Sequence, residues 1–306
     1  MTCIICLGEN RITTDNPLTD EHIVPEFMGG NLVVKNVCKI CNSNLGNGFE
    51  GRLANSFDYK LARQVYGIKG KQKQAPNAFI GIYQSAQLGK VRVNDKNQVV
   101  IFPEVEIQEK DDKFSVTLTI DKTQEHQARN EITKKLIRHF KSQGKSLDKE
   151  RISPLVDKLM EGSKIEKRVI EQPRVQGSFV LNAQDEILLR VKIVYELLVF
   201  HMGSLYLYDD YAARMRISLR QQETVEDLSF KFLNIPEFAH LFDSENHWVY
   251  IYQKYCVVVI FGMASSIVFT DESSDFFAGE GVVYKFDITS GKCLVRTFSE
   301  HLDSLA

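Results

Sequence analysis

The stretch Asp20-Glu21-His22-Ile23-Val24-Pro25 lies between two Cys-x-x-Cys pairs, and an asparagine directly follows the second pair. The pairs are Cys3/Cys6 and Cys38/Cys41, and the asparagine is Asn42. Zn²⁺ prefers four tetrahedral ligands, and each pair puts two thiolates on one tight turn. The cysteines therefore predict a closed zinc site, which is structural because four protein ligands leave no position for a substrate.

The remaining cysteines and the apolar runs bear on the cellular compartment. Cys256 and Cys293 stand alone in apolar stretches, where a small buried side chain is expected. No apolar leader segment precedes Cys3, so disulfide pairing in an oxidising compartment is disfavoured. The longest apolar run, residues 256–264, is far shorter than the ~20 residues that cross a bilayer. These features predict a cytoplasmic protein that does not act at a membrane.

Four further features accompany the cysteine pairs. They are the acidic–histidine pair Glu21-His22, the proline at position 25, the double glycine Gly29-Gly30, and Asn42 beside the second cysteine pair. In this combination they resemble the HNH endonuclease family, whose ββα-metal fold often carries a four-cysteine zinc staple. The resemblance covers about the first fifty residues. It implies hydrolysis of phosphodiester bonds in DNA, with RNA not excluded as a substrate.

The resemblance also implies a role for three side chains. Phosphodiester hydrolysis needs a base that activates water and a cation that neutralises the charge growing on the phosphate. By position, His22 would be the neutral imidazole base, while Glu21 and Asn42 would hold Mg²⁺ or Mn²⁺ through oxygen ligands. Adjacent residues of a regular strand point to opposite faces, so we expect the chain to turn or bulge at Glu21 and His22.

The sequence departs from the family pattern at the residue that orients the base. The family usually has an asparagine about five residues before the third zinc ligand. Here Val33 stands five residues before Cys38. Asn31 and Asn36 are both candidates for this role, and the sequence does not choose between them. Glu21 stands where aspartate is more usual, which keeps the charge and lengthens the arm.

Two other zinc-binding classes fit part of the pattern. Four cysteines alone are also found in zinc ribbons that bind nucleic acid or protein without catalysis, and this is the alternative function for the chain. A cytidine-type deaminase needs His-x-Glu and Pro-Cys-x-x-Cys motifs that leave an open zinc position. Here Val37 precedes Cys38 and four cysteines close the site, which disfavours a deaminase.

The segment that follows the motif is basic. Residues 35–73 contain eight lysines and arginines against Glu50 and Asp58, whereas the whole chain has a formal net charge of −2. The basic residues are Lys35, Lys39, Arg52, Lys60, Arg63, Lys69, Lys71 and Lys73. Because phosphate contacts supply most of the sequence-independent affinity for DNA, this segment is a candidate DNA-binding surface. A solvated helix face followed by a lysine-rich linker would carry the same charges.

Length and local pattern predict two domains in the 306 residues: an HNH nuclease module at 1–74 and an α+β domain at 75–306. The boundary is expected in the lysine- and glutamine-rich run 69–77. Before it, apolar residues at four-residue spacing predict a helix over 47–66. After it, alternating residues predict a β-meander over 78–120, and a helix is expected over 124–142.

The C-terminal half is predicted to be a mixed α+β core. Asn182 is the expected N-cap of an apolar helix over 183–202, and Asp209 or Asp210 is expected to cap the next helix. Strands are expected at 248–252, 256–261, 266–269, 282–286 and 293–298, with the apolar run 256–261 in the centre of a sheet. The predicted fold class is α+β: a small N-terminal zinc-stapled ββα-metal (HNH) module followed by a larger mixed region with antiparallel strands.

The role of residues 75–306 stays open between DNA recognition, sensing and partner docking. This region has no phosphate-binding glycine loop, and its histidines lack metal-ligand spacing. These histidines are His126, His139, His201, His240, His247 and His301. The arrangement resembles bacterial defence effectors with an N-terminal HNH module. By that analogy the region would gate the nuclease, with a regulatory protein or a second copy of the chain as partner.

Overall fold

The computed structural model describes residues 2–110, 113–145, 147–170, 173–225, 228–233, 242–271 and 280–305. Two compact units divide the chain: residues 1–78 together with 180–306, and residues 79–179. Both units combine helices with antiparallel strands. The predicted α+β fold class is therefore confirmed.

The N-terminal module is a hairpin followed by helices. Strands β1 (Leu18–His22) and β2 (Val33–Cys38) pair antiparallel, and helix α1 (Lys39–Asn47) starts directly after Cys38. A 3₁₀ turn at Glu26–Met28 lies in the loop between the strands. Strand, strand and helix in this order form the ββα arrangement that the sequence predicts.

The helix predicted over residues 47–66 is two helices, α2 (Phe49–Asn55) and α3 (Phe57–Tyr66). Ser56 separates them with an extended ψ of 159°. Its hydroxyl donates to the Leu53 carbonyl at 2.8 Å, which replaces a helical hydrogen bond at the end of α2. The apolar spacing continues across this break, so periodicity alone does not reveal it.

The unit at residues 79–179 has its own sheets and core. Strands β3 (Gly81–Ser85), β4 (Gly89–Val93) and β5 (Val99–Ile101) form one sheet, and β6 (Glu104–Lys110) pairs with β7 (Lys113–Thr119). A 3₁₀ turn at Lys122–Gln127 leads into helix α4 (Ala128–Ser142), and α5 (Lys149–Glu161) follows. Buried residues of α4 and α5, among them Leu136 and Val156, form the core. The predicted meander and helix are thus confirmed, with the strands divided between two sheets.

Helix α6 (Ala183–Met202) runs through the centre of the larger unit. The Asn182 side chain accepts a hydrogen bond from the Asp185 amide at 3.3 Å, and Gly203 follows the last residue, so both predicted ends are confirmed. Every residue from Leu188 to Val199 is buried. A helix that is buried all round must lie inside a core rather than on its surface. Helix α7 (Asp210–Gln221) follows, capped by Asp209.

The remaining strands form one antiparallel sheet, which has the order β13-β12-β9-β10-β11-β8 among the described residues. The strands are β8 (Phe230–Leu233), β9 (Asn246–Tyr252), β10 (Tyr255–Ile260), β11 (Met263–Val268), β12 (Val282–Asp287) and β13 (Cys293–Thr297). A short helix, α8 (Phe298–Asp303), follows the last strand. β10 lies between two neighbours and buries Cys256, Val258 and Ile260, which confirms the predicted central strand.

The zinc-stapled module, α6 and this sheet share one hydrophobic core. Its buried residues include Ile4 and Ile23 from the N-terminal module, Leu197 from α6 and Ile251 from β9. The Tyr195 hydroxyl also donates to the Ile4 carbonyl. The compact units therefore differ from the expected division at residues 74 and 75. Apolar faces join residues 1–78 to residues 180–306, and such contacts leave no local signal in the sequence.

The described helices do not meet the requirements of a membrane span. None of them is both long enough and apolar enough to cross a bilayer. The longest, α6, carries Arg190, Lys192 and Glu196 within its buried length.

Candidate active site and metal centre

Four sulfurs gather at the start of the hairpin. The Sγ atoms of Cys3, Cys6, Cys38 and Cys41 lie within 4.8 Å of one another, and all four residues are buried and free of disulfides. Tetrahedral coordination at about 2.3 Å places sulfurs about 3.8 Å apart, and the Cys6 and Cys38 sulfurs are 4.0 Å apart. The donor set and its spacing therefore fit the predicted Zn²⁺.

The pKa values of these thiols depend on one another. The contact with Cys41 lowers the pKa of Cys3 to about 4, and the same contact raises the pKa of Cys41. Neighbouring thiolates repel each other, so a dication is the group that allows all four to ionise. The side-chain amide of Asn10 also donates to Cys41 Sγ at 3.4 Å.

The register of the hairpin shifts directly before the acidic–histidine pair. Thr19 pairs with Val37 and Glu21 pairs with Val34, so Asp20 faces two residues of β2. This is the irregularity expected from the adjacent Glu21 and His22. The Glu21 side chain is buried, whereas His22 is half-buried.

A main-chain carbonyl orients the His22 ring. The Nδ1 atom lies 3.0 Å from the carbonyl oxygen of Gly30. Because a carbonyl can only accept, Nδ1 carries the proton, and Nε2 of the neutral ring has a free lone pair. The arrangement gives His22 the tautomer that a general base needs, with Nε2 as the basic atom.

The double glycine makes this contact possible. A Cβ atom at Gly30 would lie 1.8 Å from the Val24 carbonyl oxygen, and one at Gly29 would lie 2.3 Å from the Ile288 carbonyl oxygen. Gly29 also has a φ of +89°, in the left-handed region that favours glycine. Backbone therefore packs on backbone at both positions, and this packing determines where the Gly30 carbonyl lies.

The Asn42 side chain is anchored to β1. Its Nδ2 donates to the Asp20 carbonyl at 2.9 Å and to Thr19 Oγ1 at 3.0 Å. The carbonyl accepts only, so the amide orientation is determined and Oδ1 is the atom left to act as a ligand. This hard oxygen donor suits Mg²⁺ or Mn²⁺.

The Glu21 carboxylate contacts a lysine of α6. Glu21 Oε1 lies 2.7 Å from Lys192 Nζ, and this fully buried ammonium also approaches Glu196 at 3.0 Å and Glu50 at 3.5 Å. Among the contacts of the described residues, none joins the Glu21 carboxylate to the Asn42 side chain. Strand β1 thus carries Glu21 and His22, and helix α1 carries Asn42, with Asn42 bonded to β1 and Glu21 directed to Lys192.

Opposing effects act on the ionisation of this cluster. Burial alone would lower the pKa of Lys192, but the carboxylates of Glu196, Glu21 and Glu50 outweigh it and raise that pKa above its ordinary value. Burial raises the pKa of Glu50 and raises that of Glu196 well above the ordinary range. Lys192 therefore remains charged although it is fully buried.

Neither candidate asparagine bonds to the His22 ring among the described contacts. Asn31 packs beside Gly291, where an added Cβ would lie 2.7 Å from Asn31 Cβ. The main-chain carbonyl of Asn36 accepts from the Ile4 amide at 2.9 Å, which ties β2 to the first cysteine pair. In this structure the Gly30 carbonyl takes the orienting position.

The predicted basic surface is smaller than its charge count suggests. Arg52 forms two hydrogen bonds to Asp185, at 2.6 and 2.8 Å, and Arg63 is buried and donates to the Lys69 carbonyl. These two arginines hold the fold together. Apart from Arg52, which is exposed but paired with Asp185, the exposed members are Lys35, Lys39, Lys69, Lys71 and Lys73. Gly70 lies against Phe27, so the last three are next to the loop that joins β1 and β2.

A buried histidine of β9 supports the same loop. His247 Nε2 donates to the Met28 carbonyl at 3.0 Å, and its Nδ1 accepts from the Phe261 amide at 3.4 Å. Burial lowers its pKa to about 4. His240 lies outside the described residues.

The free energy of unfolding should depend on pH through His247. Between pH 6.5 and about 4 the unfolded chain binds a proton at this histidine and the folded chain does not, so stability falls as the pH falls through this window. Between pH 7 and 5, the free energy of unfolding of His247→Gln should fall by about 2 kcal/mol less than that of wild type. Urea unfolding at both pH values measures this, and equal losses in the two proteins would contradict it.

Sequence reasoning missed two members of the site, Lys192 and the Gly30 carbonyl. Lys192 lies about 170 residues beyond His22, in a helix predicted only from its apolar pattern. A carbonyl has no sequence signature of its own. The double glycine Gly29-Gly30 was the available signal, because adjacent glycines often mark a close backbone approach.

The N-terminal residues match a known family. The family model for HNH endonuclease matches residues 3–58, a range that contains the four cysteines, Glu21, His22 and Asn42. No curated protein and no solved structure matches the chain. With the cysteine cluster and the ββα arrangement, this match confirms the predicted resemblance. The N-terminal part of the chain, residues 3–58, is therefore similar to the HNH endonuclease family.

Proposed function

We propose that this protein is a metal-dependent endonuclease that hydrolyses phosphodiester bonds in DNA. The observation that carries the proposal is the His22 ring, whose Nδ1 is held by the Gly30 carbonyl at 3.0 Å within an HNH-matching segment. The free Nε2 lone pair takes the proton of the attacking water as general base. RNA has the same linkage and is the second substrate to test.

In this proposal two oxygen donors would hold a divalent ion. Glu21 supplies a carboxylate and Asn42 supplies Oδ1, which is directed away from the Asp20 carbonyl. Mg²⁺ or Mn²⁺ held there would neutralise charge on the phosphate and the leaving oxygen. Zn²⁺ at the four cysteines has a structural role in this proposal and takes no part in the reaction.

Residues 75–306 are assigned a directing role in the same proposal. We place the protein among restriction or anti-phage defence effectors of the cytoplasm, with this region recognising DNA or docking a regulatory partner. Support comes from the packing of α6 against the strand of the proposed base. A helix that contacts both the core and this strand could transmit a binding event to the site.

Removal of the base tests the proposed function. Zinc-loaded protein should nick plasmid DNA when Mg²⁺ or Mn²⁺ is added, and His22→Ala should lower the rate at least about 100-fold, as expected for loss of a general base. The zinc content and the circular dichroism spectrum should stay as in wild type, because His22 is half-buried and bonds outside the zinc site.

His126→Ala is the matched control, since His126 is an exposed histidine of the other unit. It should cleave like wild type. Cleavage that survives His22→Ala would overturn the assignment of the base. If wild type cleaves neither DNA nor RNA with either ion, the result would favour the alternative function, a non-catalytic zinc ribbon that binds nucleic acid or protein.

A further inference from the structure

Lys192 contacts three consecutive residues, the last two of β1, which carries the proposed base, and the residue directly after it. Its Nζ lies 2.7 Å from Glu21 Oε1, donates to the His22 carbonyl and lies 3.3 Å from the Ile23 carbonyl. The side chain is fully buried. One ammonium group therefore holds the carboxylate of the proposed metal ligand and the main-chain carbonyls of the base and of the residue after it.

Burying the Lys192 charge costs free energy, and an apolar side chain could fill the same space without this cost. Taking an ammonium out of water costs several kcal/mol, and replacing buried ion pairs by apolar side chains of similar size is often neutral or stabilising. A methionine at position 192 would fill nearly the same space between α6 and β1. What it could not do is donate hydrogen bonds to Glu21 and to the His22 carbonyl.

We propose that Lys192 is a positioning residue of the nuclease site, which holds Glu21 and His22 in their reactive geometry from helix α6. It touches neither the water nor the phosphate and acts through these two residues. The inference rests on the proposed function, because it assigns Lys192 a task in the same reaction. It also explains why the site needs a helix that lies far along the chain.

A second buried cation on the same helix provides a matched control. Arg190 is fully buried, pairs with Glu186 and lies over the Phe232 ring at 5.4 Å. Neither of these contacts belongs to β1. Loss of the Arg190 pair should therefore disturb the core to a similar degree without reaching Glu21 or His22.

The experiment compares K192M/E196Q with R190M/E186Q in the full, zinc-loaded chain. Each double variant removes one cation and one carboxylate from α6, so the net charge is kept. Cleavage kinetics give kcat and KM for plasmid DNA, and thermal unfolding gives stability. Selective ¹⁵N-histidine labelling reports the His22 ring signals, which are assigned by their absence in His22→Ala.

K192M/E196Q should lower kcat about 10–100-fold, the usual cost of losing a group that orients a metal ligand. KM for DNA should be unchanged because Lys192 is buried, and the His22 Nδ1 signal should shift away from that of the Gly30-bonded ring. R190M/E186Q should keep kcat and the His22 signals. Equal kcat in the two double variants would overturn the proposal. A rise in kcat for K192M/E196Q would also overturn it, because Lys192 would then inhibit the reaction.

If K192M/E196Q does not fold, K192R and R190K make the same comparison with the charge retained. The donors of arginine and lysine differ in position, so K192R should lower kcat several-fold while R190K should not. Equal kcat in these two variants overturns the proposal. A wild-type protein that cleaves nothing would instead refute the proposed function, which keeps the two failures distinct.

Discussion

Cys38→Ser is expected to release zinc and unfold the larger unit of the protein. Structural zinc sites contribute about 10–16 kcal/mol in zinc-finger peptides, which matches or exceeds the whole stability of a typical domain. Cys38 also ends β2 and directly precedes α1, and its side chain belongs to the core that α6 and the sheet share. The expected loss is therefore more than about 5 kcal/mol, measured as zinc content and as the free energy of unfolding.

Cys256→Ser is the control, because Cys256 is an equally buried cysteine of the central strand and no metal ligand. It should keep its zinc and lose about 1–3 kcal/mol, the cost of a buried hydroxyl. Residues 79–179 have a separate core, so their amide protection should persist in both variants. A Cys38→Ser protein that retains zinc and unfolds like wild type would contradict the structural role of the site.

The parts of the site that could be predicted from sequence are those with short-range signatures. Two cysteines three positions apart reach one ion whatever the rest of the fold does, so the zinc cluster follows from spacing alone. Helix α6 was predicted to the residue at both ends, because Asn182 and Gly203 are local signals for the first and last turns. Strand β10 was predicted from one apolar run.

Contacts between distant segments could not be predicted in this way. The sequence gives Glu21 the position of a metal ligand, but only the fold shows that Lys192 approaches its carboxylate from α6. Arg52 and Arg63 counted as basic residues for DNA, yet Asp185 and the Lys69 carbonyl bind them. In both cases a partner far along the chain or on the main chain decides what a charged side chain does. Charge counts and periodicity contain no information about such partners.

The group that orients the base could not be predicted from the sequence either, although it lies close to His22 along the chain. An asparagine was expected, and Asn31 and Asn36 were the candidates, whereas the Gly30 carbonyl lies at Nδ1 of His22. A main-chain group depends on backbone position rather than on residue type. The residues that control it are therefore the glycines that allow its close approach.

Gly30→Ala is accordingly expected to damage both folding and catalysis. The new Cβ would lie 1.8 Å from the Val24 carbonyl oxygen, whereas real Cβ contacts are essentially never closer than 3.0 Å. The clash involves backbone, so the two segments must separate, and overpacking of this kind costs about 3 kcal/mol or more. Separation also moves the Gly30 carbonyl away from His22 Nδ1. A displacement of about 1 Å in a catalytic geometry lowers rates about 100-fold, so kcat should fall by that factor in the molecules that remain folded.

Gly46→Ala separates this effect from the general response to an added methyl group. Gly46 lies in α1 of the same module, and a Cβ there meets nothing within 4 Å. It should keep wild-type kcat and gain up to about 1 kcal/mol of stability, because alanine favours a helix more than glycine does. Urea unfolding and single-turnover cleavage below the unfolding transition measure both quantities. If Gly30→Ala matches Gly46→Ala in stability and in kcat, the Gly30 carbonyl does not orient the base, and Asn31 and Asn36 return as the candidates.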